Sequence, residues 1–147
     1  MRKRIELPDL TAYDQPPWNH AGSVSTAFDA VLNAADEQSS EKAYHDLLFA
    51  VGNNHAGTYY SVVLGVLPAV GVVLCEGAPW SKHAVLEALI DLYVSFEPEN
   101  GQEIYCERSL KDTVDEAIGV LRPLVERLAG ESFVGKSARE LIAHLRP

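Results

Sequence analysis

Tyr59 to Cys75, YYSVVLGVLPAVGVVLC, runs for seventeen residues without a charge and is interrupted by Gly65, Pro68 and Gly71. Its valines suit a buried strand, but strands rarely exceed about ten residues, so the length favours a helix buried on most of its faces. Seventeen residues is also the lower edge of a membrane span. No Lys/Arg cluster stands at either end to orient insertion, and the nearest flanks are His55 and Glu76. The segment therefore reads as a core helix. Pro68 should bend or restart it, because proline has no N–H to bond the carbonyl of residue 64.

Outward from this helix the pattern stays helical. On the N-terminal side, Val24, Ala27, Phe28, Val31 and Leu32 follow helical spacing behind a Ser23 or Ser25 cap. Ala43, Tyr44, Leu47, Leu48 and Val51 form a second stripe, capped by Ser39 or Ser40 and stopped by Gly52 and Asn53. On the C-terminal side, Lys82 to Phe96 carries a broad apolar face. Leu110 to Leu128 carries another, with Ser109 as its cap and Pro123 set to divide it. Ser137 to Leu145 is a last short helix. Residues 1–22, with Pro8, Pro16 and Pro17, read as an irregular arm packed through Leu10, Tyr13 and Trp18. The expectation is one all-α domain over residues 1–147, with six or seven antiparallel helices. Helix pairs recurring every 35 to 50 residues or so match the period of HEAT-like and armadillo-like solenoids.

Composition limits the partners. The 147 residues include 21 Asp and Glu against 12 Lys and Arg, a net charge of −9, so the average surface repels phosphate backbones. Nucleic acid is not an expected partner, and neither is a membrane. Ten acids lie between Glu76 and Glu116 against three bases, whereas Arg122 to Arg146 holds five bases and three acids. A basic ligand would meet the middle of the chain first. Cys75, read as core filler, and Cys106 form no CxxC. The basic start MRKR is followed by Glu6, Pro8 and Asp9 in place of an apolar export signal, so a reducing cytoplasm is the expected compartment.

Catalytic chemistry finds little support in the residue pattern. The five histidines show neither HExxH nor HxxxH spacing, and Glu41 with His45, and His83 with Glu87, sit four apart like ordinary helical pairs. No GxSxG, GxxxxGK[ST] or GxGxxG occurs, so no metal, cofactor or enzymatic role is expected. Glu97, Glu99, Glu103 and Glu107 cluster around one interhelical connector and read as a partner surface. The loop Asn53-Asn54-His55-Ala56-Gly57-Thr58-Tyr59-Tyr60 is the most distinctive string. Gly57 is expected at positive φ, Thr58 as the cap of the next helix, and Asn54 or His55 bonding the turn backbone. The alternative reading of the same loop is functional, with His55, Tyr59 and Tyr60 contributing to a recognition edge.

The string NNHAGTYYSVVLGVLPAVGVVL, followed by WSKHAVLEALIDLY, resembles a group of bacterial HEAT-like proteins. In that group a [NY]-H-[AQ]-G-T-x-Y loop precedes an apolar helix with a central proline and then a helix ending in L-x-D-L. The match covers about Tyr44 to Glu97, at Asn54, His55, Gly57, Thr58, Tyr60, Pro68 and Asp91, positions that define the fold in the family more than they touch a target. Members look like immunity proteins encoded beside polymorphic or contact-dependent toxins. The resemblance implies that role here, with a cognate toxin of basic surface as partner. Partner contacts are expected at Tyr59, Tyr60 and Trp80 and at Glu97, Glu99, Glu103 and Glu107. Charge reversal at Glu99 and Glu103 should slow association. A HEAT-like adaptor would share the fold and differ in genomic context, and a small enzyme would need a convergent pocket.

Overall fold

The computed structural model describes residues 5–146, and its described chain is mostly helical. Seven α-helices occur among these residues: α1 (Ser23–Leu32), α2 (Glu37–Val51), α3 (Val62–Glu76), α4 (Pro79–Ile90), α5 (Leu110–Val120), α6 (Arg122–Leu128) and α7 (Gly135–His144). Of the fifteen residues of α3, ten are buried, which bears out a core helix for the uncharged segment. It continues unbroken through Pro68, which lies on the exposed side. Cys75 is exposed near its end, correcting the expectation of a core position.

Local chemistry explains most boundaries. Helix α2 starts with a capping box in which the Asp36 carboxylate accepts from the Ser39 amide at 2.8 Å and Ser39 Oγ accepts from the Asp36 amide at 3.1 Å. The cap is thus Asp36, and the serine expected in that place is its reciprocal partner. For α1 the cap position is Gly22, while Ser23 Oγ accepts from His20 N at 2.9 Å. Pro79 supplies the pre-set φ of the first position of α4. Ser109 caps α5 as expected, accepting from Asp112 N at 3.1 Å, and the long C-terminal stripe divides into α5 and α6 one residue before Arg122-Pro123. The expected helix to Phe96 is α-helical only to Ile90. It widens into a π-helical turn over Asp91–Ser95, closed by Phe96 N donating to Asp91 O at 2.8 Å.

The core is organised around α4, which packs against α1, α2, α3 and α7 and buries Ala84, Val85, Leu86, Ala88 and Leu89. Each such leucine contributes roughly 1.5–3 kcal/mol by leaving water. The arm is tied onto α3: Val62 N donates to Asp14 O at 3.1 Å, Asp14 N donates to Ser61 Oγ at 2.9 Å, and Tyr13 and Leu10 crowd Gly65. Trp18 lies flat on Phe49, with ring centroids 5.0 Å apart, and both remain exposed.

Among the described residues, five strands of two residues join the helices, none of them anticipated by the hydrophobic pattern. β1 (Gly52–Asn53), β2 (Thr58–Tyr59) and β3 (Glu97–Pro98) form one sheet, with β2 central, antiparallel to β1 and parallel to β3. β4 (Ile104–Tyr105) and β5 (Arg108–Ser109) form a separate hairpin. Alternation over two residues carries too little signal to be read from sequence.

Candidate interaction surface

The conspicuous Asn53–Tyr60 string forms the β1–β2 turn and seats it beneath β3. Asn53 Oδ1 accepts from the amides of His55 and Ala56, both at 3.1 Å, and Gly57 takes the expected left-handed conformation at φ 73°. The side chain that bonds the turn backbone is therefore Asn53, while Asn54 reaches His45 Nδ1 at 3.4 Å and His55 is exposed. Gly52 is required by close approach, since a Cβ there would lie 2.0 Å from Thr58 O. Thr58 is no helix cap. Its hydroxyl donates to the Glu99 carboxylate at 2.5 Å, and Ser61 occupies the position preceding α3.

Burial corrects the expected recognition edge. Tyr59 is 0 % exposed and its hydroxyl has no hydrogen-bond partner, so it is a core residue and cannot contact a partner on this surface. Burial pushes its phenol well above the ordinary tyrosine value, and the nearby carboxylates of Asp115, Glu97 and Asp112 add to the shift. Tyr60 is half-buried, and Trp80 is half-buried at the start of α4.

The acidic connector is tied by backbone bonds to the β1–β2 loop and to the start of α5, and two of its carboxylates are already engaged. Glu99 is held by Thr58, and the Glu103 carboxylate turns back to accept from Gly101 N at 3.0 Å and 3.1 Å. Reversing these two charges would therefore disturb the loop itself. Arg108 pairs with Glu116 at 2.7 Å, holding that carboxyl below its usual range, and Lys111 pairs with Asp115 at 2.8 Å. Glu97 and Glu107 are exposed and have no Lys or Arg partner among the described residues. Between β4 and β5 the chain reverses through Cys106 and Glu107, both at positive φ, 49° and 65°, where hairpins usually place Asn or Gly. A cleft of about 510 Å³ beside this region is lined by Tyr93, Asp112, Asp115, Glu116, Arg122 and Arg146, charges of both signs.

A second acidic region lies between α2 and α4, where Glu37, Ser40, Glu41, Tyr44, His83 and Glu87 line a cleft of about 220 Å³. The expected helical pairs are present as weak contacts, Glu41 with His45 at 3.9 Å and His83 with Glu87 at 3.7 Å. Tyr44 donates to the Asp91 carboxylate, and burial, that hydrogen bond and the charges of Asp91, Glu87 and Glu41 hold its phenol protonated above the normal range. His83 links this cleft to an aromatic pair, since its ring meets Trp80 edge-on at 5.6 Å and Phe133 at 6.3 Å. Trp80 and Phe133 are themselves perpendicular at 4.6 Å, and Phe133 is exposed. Phe133 and Glu37 carry no signal in the sequence. They come from segments almost a hundred residues apart, Glu37 lining the cleft with His83 and Phe133 packing on Trp80 and His83 from the chain before α7.

Among the described residues no group of three or more His, Cys, Asp or Glu side chains is arranged to hold a metal ion, and no helix is long and apolar enough to cross a membrane. No protein-family model matches the chain, and neither does any curated protein or solved structure.

Proposed function

We propose that this chain is an immunity protein, which binds a cognate bacterial toxin domain of basic surface in the cytoplasm and neutralises it by protein–protein contact. The observation that carries this reading is the charge distribution: minus seven of the total minus nine falls between Glu76 and Glu116, with Glu97 and Glu107 exposed and without a Lys or Arg partner among the described residues. Such a field steers a basic protein and accelerates its encounter. The loop and helix motifs shared with HEAT-like immunity proteins supply the second support. Helices α1 and α2, and α3 and α4, are packed pairs joined by short connections, the kind of unit a HEAT-like arrangement repeats.

Co-expression with the product of the gene immediately upstream tests the proposal. Restored growth and co-elution as a stable 1:1 complex on size exclusion are expected. Growth arrest that this chain does not relieve, or a neighbour that is not toxic, would overturn it.

A further inference from the structure

We infer that the stacked rings of Trp18 and Phe49 form an anchor platform for an apolar segment on the surface of the basic protein partner. This deepens the immunity reading and rests on it for the partner's nature. The two ring centroids lie 5.0 Å apart with the planes 17° from parallel, and the residues remain 41% and 43% exposed. Both line one open cleft of about 340 Å³ between the N-terminal arm, α1 and α2. Aromatic rings carry a large apolar payload, so two left open side by side mark a contact site. Trp18 Nε1 donates to Phe49 O at 3.0 Å and Asn19 Nδ2 donates to Ala50 O at 2.7 Å, so two residues of the arm satisfy two carbonyls at the C-terminal end of α2. Each carbonyl needs only a donor, which a small amide supplies at the second of them. The indole at the first adds a large ring outside the core, held in one orientation before any partner arrives.

The rest of the cleft selects the occupant. The Asn19 amide, His20 Nδ1 and the Ser23 hydroxyl are engaged with the arm and with α2. Ring faces are left to meet a ligand, which favours an apolar protein segment over a small polar molecule that needs several groups to orient it. Among the described residues no Lys or Arg lines the cleft, and the carboxylate on its rim, Asp46, is held by Lys42 in an exposed pair at 2.7 Å that a partner's cation can replace at little cost. The platform is also continuous with the acidic connector. Phe49 sits in the last turn of α2, which leads directly into β1, and the sheet β1–β2–β3 reaches Glu97. Steering charge and aromatic anchor are thus carried by one framework.

The test uses the wild-type chain, free and mixed with the product of the gene immediately upstream, under hydroxyl-radical footprinting read by mass spectrometry. Trp18 and Phe49 should be oxidised in the free chain and protected in the complex. Equal oxidation in the two samples would overturn the inference. Phe49→Gln removes one ring while keeping a good helix former and the carbonyl that Trp18 bonds, and an unchanged denaturation midpoint checks that its fold is retained. This variant should leave the partner at least about tenfold faster, with the association rate and its salt dependence in place, whereas Phe49→Tyr should bind like the wild type. Unchanged dissociation of Phe49→Gln, or an equal loss in Phe49→Tyr, would overturn the platform while leaving the immunity reading intact. No complex with the wild-type chain would overturn the immunity reading, and with it the partner assigned to this site.

Discussion

The connector Glu97–Glu107 and the α2/α4 cleft are both acidic, but they differ in what their carboxylates are doing. In the connector, Glu99 and Glu103 hold the loop together through Thr58 and the Gly101 amide. In the cleft, Glu41 and Glu87 lie near His45 and His83 and line an open space shared with Glu37, Ser40 and Tyr44. Density of charge along the chain therefore overstates the connector as a docking site, and charge assembled from distant helices is easily missed. A neutral hydroxyl or amide donor leaves the charge in place but fixes the carboxylate, so what matters to a partner is the carboxylate still free to turn towards it at a place it can reach.

That contrast is broken most severely at the junction supporting the connector. Gly52→Ala should destabilise by more than about 3 kcal/mol, because the new methyl overlaps the backbone of β2 and the only relief is to separate the strands that hold β3. Chemical denaturation would show this as a fall in midpoint, and an unchanged midpoint would mean that the β1–β2 pairing is dispensable. On the cleft side, Trp80→Ala should weaken partner binding by about 2 kcal/mol, in the range of an aromatic anchor, as measured by calorimetry. The connector should respond differently: Glu97→Lys with Glu107→Lys is expected to lower the association rate and its salt dependence while leaving dissociation nearly untouched. A larger effect on dissociation than that of Trp80→Ala would reverse the assignment of anchor and steering surface.

Two smaller effects concern the phenols that lie between these regions. Tyr59→Phe should stabilise the fold by about 1 kcal/mol, since it removes a buried hydroxyl that makes no hydrogen bond. The phenols of Tyr44 and Tyr59 hold their protons more tightly when folded than when unfolded. Their contribution to stability is thus complete below the unfolded tyrosine value of about 10, and it is lost as pH rises through the higher folded values. Melting temperatures should fall above that pH, and less steeply in the Tyr44→Phe/Tyr59→Phe variant. Parallel curves would remove these two residues from the alkaline transition.

The helical architecture was legible because it is written in local terms. A seventeen-residue uncharged run, apolar residues at helical spacing, Ser109 before α5 and Pro123 at the α5–α6 division each act within a few positions of themselves. Gly57 was readable for the same reason, as a turn residue at positive φ. Tyr59 was misplaced because its burial depends on β3 and α5, neither of which a neighbouring residue announces. Cys106 and Glu107 gave no turn signal, since both occupy a conformation that their side chains disfavour. The α2/α4 cleft was the least legible part. Its ion-pair spacings on α2 and α4 were visible as two unrelated surface pairs, and their meaning depends on the two helices facing one another.

The central claim, neutralisation of a basic toxin domain by direct contact, is tested most directly by titrating this purified chain into the product of the gene immediately upstream and following that product's own toxic activity. The account predicts complete inhibition at a 1:1 ratio, with an association rate that falls as salt is added. Full toxin activity in the presence of excess chain would contradict it.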